Sequence, residues 1–322
     1  EEYQRLTLSE NSIPCGNSIV EVPHLALTSI ISSLAVERLL RRQKQMFRIL
    51  EKCEGDWDEL TYRILAVNFG FNVNGTAFEL LAQSLPYKII SRHERSRLQI
   101  YALVFGQAGM LDNPEISEKD SYLEQLKNEY DYLRYKYRLS PIDPKVWNLL
   151  RLRPTNFPCV RLAQFSELLF CLPNIFQELI IKLKTDNIRC LLGSISPDEY
   201  WKTHFHFGRK TKEHPCHIGK SALNLLIINT IAPVLFAYGS FSGNDKYKSR
   251  ALNMLEINPP EDNIVTRQFG RFKFPMDSAM VSQALLELYS VFCKHKKCYS
   301  CPIGQYIVTK LYKKDKNVSN EY

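Results

Sequence analysis

Apolar residues recur at three- and four-residue spacing along almost the whole chain, the signature of helices with one face turned inward. Between Leu27 and Leu50 the set Ile30, Ile31, Leu34, Leu39, Leu40, Phe47 and Leu50 traces such a face, with Arg38, Arg41, Arg42, Lys44 and Arg48 set between. Asp56 stands where a helix N-cap belongs. Its carboxylate can take the free amides of the first turn, and Glu59 completes the pattern of a capping box. Gly70 follows the last turn of that helix. Further helices are predicted over 76–85, stopped by Pro86, and over 94–105, closed by Gly106. After a polar stretch at 112–120, Tyr122, Leu126, Tyr130, Leu133 and Tyr137 mark another, whose aromatic stripe reads as core packing. The periodicity continues over 160–171, 174–183, 186–192, 221–238, 245–255 and 277–292, with Gly193 and Gly239 after two of the ends.

Period-two alternation bounded by turn dipeptides is scarce, so few or no strands are expected. No internal repeat at a fixed period is visible, which argues against a regular solenoid. The predicted architecture is all-α: an irregular multi-helix bundle forming one continuous helical body. Residues 1–24 read as an extended N-terminal segment, 25–292 as the body with a soft boundary near 112–120, and 293–322 as a cysteine-containing C-terminal segment whose polar end, from Lys310, frays. The longest apolar stretch, Leu223 to Tyr238, is interrupted by Asn224, Asn229, Thr230 and Pro233. It is shorter and more polar than the ~20 apolar residues of a membrane span. It is read as a core helix kinked at Pro233, and no membrane partner is expected.

Hydrophobic residues make up 45% and charged residues 24%, proportions that exclude disorder, collagen and coiled coil for the chain as a whole. The formal net charge of +8 permits contact with a polyanion without requiring it. Nine cysteines are too few, and odd in number, for a disulfide scaffold. A reducing, cytoplasmic setting is expected. The start at Glu1, with no Met and no leader pattern, reads as a processed product or a fragment of a longer polypeptide.

The sharpest local pattern is Cys293-Lys-His-Lys-Lys-Cys298-Tyr-Ser-Cys301. A Cys-x-x-Cys pair brings two thiolates within reach of one ion, Cys293 offers a third, and the intervening cations favour thiolate. The fourth ligand has to come from elsewhere. Cys15, in a turn-like Ile-Pro-Cys-Gly segment, is preferred over His295 and then Cys216. The expected cofactor is one structural zinc or iron–sulfur centre on Cys15, Cys293, Cys298 and Cys301. The alternatives are three reduced thiols near a helix end or a redox-active pair. The C-terminal loop is also similar, over this short stretch, to the iron–sulfur loop of endonuclease III-type DNA glycosylases. Its first spacing is shorter and no Cys follows Cys301, so glycosylase activity is not implied.

A second cluster, from Trp201 to Lys220, interleaves rings with cations: Lys202, His204, Phe205, His206, Phe207, Arg209, Lys210 and Lys220. Such a loop suits phosphates and unstacked bases, unless its aromatics simply dock on the body. A third group, Arg151, Arg153 and Arg161 around Pro154–Pro158, suits an anion pocket at a helix start, with pairing to acidic neighbours the alternative. No nucleophile elbow, Walker loop, zinc-protease signature or dinucleotide fingerprint occurs, so nothing supports catalysis by this chain.

Several stretches together, Asn68–Asn74, Phe105–Gly109, Arg151–Pro158, Leu226–Thr230, Ile13-Pro-Cys15 and Cys298–Gly304, resemble a bacterial family catalogued as domain of unknown function 2851. The resemblance runs through nearly the whole chain. Full-length members carry an additional N-terminal part whose acidic motifs are similar to the restriction-endonuclease-like nuclease fold, and those motifs are absent here. The resemblance therefore implies a helical C-terminal portion, with any nuclease chemistry in an upstream domain of the same polypeptide. The expected role is an accessory, nucleic-acid-engaging module that is not itself catalytic. The alternative is a partner-binding helical scaffold without nucleic-acid affinity.

Overall fold

The computed structural model describes residues 11–112, 120–150, 152–153, 156–182, 185–272 and 274–309, the side chains of 185 and 186 excepted. The architecture is all-α, with one two-stranded ribbon. The polar stretch taken as a soft boundary and the charged C-terminal end fall largely outside the described residues. The single continuous body expected from the short loops is divided into two compact units, Met46–Leu235 and a second that joins Glu1–Gln45 to Phe236–Tyr322. Association of the two chain ends, which the expected grouping of Cys15 with Cys293, Cys298 and Cys301 implies, is long-range information that helical periodicity itself does not carry. The described part of the expected extended segment is also partly helical: Gly16–Glu21 form a 3-10 helix.

The unit built from the chain ends contains most of α1 (His24–Lys52). Arg38 Nε donates to Gln283 Oε1 at 2.7 Å, and Arg38 and Arg41 both pair with Glu287. Gln283 and Glu287 are buried on a helix over Ala279–Val291. Cations that look like a solvated face in sequence thus anchor one helix to another.

In the unit Met46–Leu235, α2 (Trp57–Phe69) starts as expected: Asp56 Oδ1 accepts from the amides of Asp58 and Glu59. Glu59 does not return the bond. It is buried, accepting from the Tyr87 amide at 2.7 Å and from Arg63 at 2.6 Å, so the capping box is half formed. The next helix, α3 (Phe71–Ser84), opens with a turn from Phe71, at φ 47°, that is broken at non-helical Asn74, so its regular part starts close to the expected position 76. A short α4 (Tyr87–Ser91) precedes α5 (Arg97–Gln107), capped by Ser96. Gly106, expected to close α5, lies inside it. A Cβ there would stand 2.1 Å from the Tyr130 ring of α6 (Ser121–Tyr137), so the two helices meet at a contact only glycine allows. The stripe of α6 is core, as expected: Leu126, Tyr130 and Leu133 are buried. Helix α7 (Pro158–Cys171) runs through the centre, with Phe165 against Phe69, Phe78 and Tyr62 at 5.2–5.7 Å between ring centroids.

A π-helical turn at Phe176–Lys182 and α8 (Thr185–Ser194) lead to the ribbon of β1 (His204–His206) and β2 (Arg209–Lys210). Helix α9 then spans Lys220–Phe241. The expected kink at Pro233 appears instead as a π turn over Ile227–Ile231. Proline has no amide for the carbonyl four residues back, that of Asn229. Asn68 Nδ2 donates to that carbonyl at 3.0 Å and satisfies it from α2. Length and composition would let α9 cross a membrane, but 78% of its apolar window is buried inside the molecule.

Candidate nucleic-acid interface

The basic and aromatic cluster expected to be a loop is a short antiparallel ribbon, with His204 opposite Lys210 and His206 opposite Arg209. Gly208 makes the turn at φ 71°. Its amide donates to Asp120 Oδ2 at 2.8 Å, and the Tyr200 hydroxyl donates to the same oxygen. Asp120 also caps α6, so one carboxylate ties the ribbon turn to a helix start. Phe207 seals the ribbon inward, 5.2 Å from Trp201 and 5.3 Å from Phe105.

On its other side the ribbon meets the head of α7. Phe157, immediately before that helix, packs on His206 at 4.6 Å and on Phe205 at 5.9 Å, and Phe205 stacks on His214 at 3.8 Å. The ribbon and the segment before α7, about fifty residues apart in sequence, are thereby joined through packed rings. Arg209 and Lys210 are exposed on β2, and Arg153 is exposed, its carbonyl accepting from the Asn156 amide at 2.8 Å. Arg151 lies outside the described residues.

Three expected contacts differ. His204 is committed to its own turn: Nδ1 donates to the Tyr200 carbonyl at 2.8 Å and one face of the ring stacks on Tyr200 at 3.9 Å. Lys202 pairs with Glu199 at 2.5 Å, so its charge is already answered within the chain. Arg161 is not on the surface but buried, 8% exposed. Lys220 is exposed in the first turn of α9.

Arg161 donates through Nη1 to Gln164 Oε1 at 2.7 Å and through Nη2 to Asn156 Oδ1 at 2.5 Å, and its guanidinium lies 4.5 Å over the Phe71 ring. Both acceptors are neutral, and among the described residues Nε has no partner. Burial lowers its pKa, to about 10, and among the described residues no carboxylate is seen to offset it. It lines a cleft of about 40 Å³ with Phe71, Asn74, Leu152, Asn156 and Pro158. Phe71 and Asn156, which sequence reading overlooked as site residues, lie in two of the stretches on which the family resemblance rests.

Near this cleft Cys159 Sγ lies 3.9 Å from His206 Nδ1. The pair is not an activated nucleophile. Burial pushes Cys159 up to about 12, and burial with Arg209 lowers His206, so neither ion of a thiolate–imidazolium pair is favoured.

In the other unit Cys15, Cys293, Cys298 and Cys301 are all buried free thiols. Burial, then Cys301 and Cys298, pushes Cys15 up to about 12; burial, then Cys15, Cys301 and Cys298, raises Cys293. Burial raises Cys301 too, against the amides of Gly304 and Ile303. The ends of the chain therefore place four thiols within electrostatic reach of one another. Among the described residues, no three His, Cys, Asp or Glu side chains are arranged to hold a metal ion.

Helices packed around a short docked ribbon define an all-α protein. The chain belongs to the protein family of unknown function DUF2851, whose model matches residues 1–264. The cysteines from Cys293 onward lie beyond the matched residues. No curated protein and no solved structure matches the chain.

Proposed function

We propose that this chain is a nucleic-acid-engaging helical module, not itself catalytic, of a bacterial cytoplasmic polypeptide. The single observation that supports it is the docking of the ribbon on Phe157, which joins the strands that carry the exposed Arg209 and Lys210 to the start of the helix that bears Arg161. Cations grouped on one face displace counter-ions from a phosphate backbone, whereas the same number dispersed serves solubility. Free thiols throughout support a reducing compartment. The resemblance in sequence supports a position C-terminal to a nuclease-like domain.

Fluorescence anisotropy with labelled single-stranded and duplex oligonucleotides tests the reading. Affinity is expected to fall about tenfold or more over a fourfold rise in salt, and by a similar factor in Arg209→Glu with Lys210→Glu. Absent or salt-insensitive binding would overturn it in favour of a partner-binding scaffold.

We also propose that Cys15, Cys293, Cys298 and Cys301 hold a zinc or iron–sulfur centre. Four buried thiols suit either group, since both are held by thiolate sets and both offset the cost of burying charged sulfur. An ion shared between the chain ends would close a very long loop and restrain the unfolded ensemble. Elemental analysis and absorption spectra of anaerobically purified protein are expected to show stoichiometric zinc or iron, lost in Cys15→Ser. Metal-free protein, or full metal content in Cys15→Ser, would defeat the four-cysteine site.

A further inference from the structure

We infer that the cleft at the head of α7 is a binding site for one phosphate group, anchored by Arg161. This deepens the nucleic-acid reading and rests on it only for the source of the phosphate.

Two independent features meet in the cleft. The first is the start of α7. Its N-cap, Phe157, supplies no side-chain acceptor, Pro158 occupies the first position, and the first turn holds no acidic residue. Among the described residues, no N-cap side chain and no acidic residue of the first turn answers the positive end of this fourteen-residue helix. The second is Arg161 itself, more than nine-tenths buried, with Nε unpartnered and lining the same cleft.

A buried guanidinium without a counter-ion is costly, and proteins ordinarily supply a carboxylate beside it. Here two amide oxygens and an aromatic face hold the fork in place but leave its charge uncompensated. That arrangement orients a cation without neutralising it. The group that completes it is an anion arriving from solution. A planar fork suits the oxygens of phosphate, and a helix start suits its charge. The cavity, about 40 Å³, holds roughly three waters, which admits one phosphate group and excludes a nucleoside. Phe71 supports the choice of place. A phenylalanine at φ 47° is strained, and the strain sets the ring under the guanidinium. Asn156 is a positioning residue: it accepts from Nη2 at the cleft edge.

Isothermal titration of the full chain with inorganic phosphate tests the site, alongside anisotropy with oligonucleotides carrying or lacking a 5′-phosphate. Saturable phosphate binding is expected, weakened about tenfold or more in Arg161→Gln and several-fold in Asn156→Ala. Asn156 is exposed, so its variant keeps the test open if Arg161→Gln fails to fold. The variant Arg209→Glu with Lys210→Glu is expected to bind inorganic phosphate normally. A gain in affinity from the 5′-phosphate that is lost in Asn156→Ala identifies a strand end as the source; equal affinities identify internal phosphates. No phosphate binding by the wild-type chain, or wild-type affinity in both Arg161→Gln and Asn156→Ala, overturns the site. Phosphate binding without oligonucleotide binding sinks the nucleic-acid reading and leaves the site standing. Oligonucleotide binding indifferent to both substitutions, with no phosphate binding, does the reverse.

Discussion

Trp201→Ala is expected to destabilise the unit Met46–Leu235 by about 3–5 kcal/mol, the range for removing a large, fully buried aromatic. Trp201 is 0% exposed and stacks on Phe105 at 5.1 Å between centroids, with Phe207 and Tyr200 edge-on at 5.2 Å each. Truncation leaves a cavity bounded by rigid rings from α5 and from the ribbon turn, and rigid walls collapse poorly into a void. Trp201→Phe refills part of the space and is expected to cost about half as much. Denaturant unfolding followed by circular dichroism reads the difference. A loss under about 1 kcal/mol for the alanine variant would show that these rings repack freely. Because Phe207 holds the ribbon from inside, the same variant is expected to weaken oligonucleotide binding as well.

Glu287→Ala is expected to cost about 3 kcal/mol in the other unit, more than its lost contacts alone suggest. Glu287 is 4% exposed and faces two arginines of α1. Removing the carboxylate leaves Arg38, whose pKa burial already lowers, without that nearby counter-charge in a poorly hydrated position. Arg41 is about half exposed and water answers it, so most of the cost belongs to Arg38. Glu287→Gln keeps an acceptor for Arg38 but not the charge, and is expected to fall between the two. Chemical denaturation of the three proteins checks the order. Equal stability of Glu287→Ala and wild type would mean that the pair is solvated in solution.

Helices α1, α2 and α6 were legible because each carries its own evidence: a repeating apolar face, and for α2 an aspartate at its start. The helix over Ile264–Gly270 was missed, since seven residues give too few turns for a period to emerge. The ribbon was read as a loop because its paired residues alternate ring with ring, His-Phe-His-Phe, rather than apolar with polar.

The candidate site divides in the same way. Sequence alone marked the arginines around Pro158 and the basic stretch after Trp201, because clustered charge near a helix start is a local property. It could not bury Arg161. In the run Pro-Cys-Val-Arg-Leu-Ala-Gln an arginine reads as the solvent side of a helix, and what covers it is Phe71, ninety residues earlier in the chain. It could not commit His204 to Tyr200, nor set Asn68 against the carbonyl that Pro233 leaves open. Helix, cap and charge follow from interactions within a few residues, which any window of sequence contains. Burial, counter-ion and partner are set by segments far apart in the chain, and only their packing decides which cation keeps its water and which must find an anion.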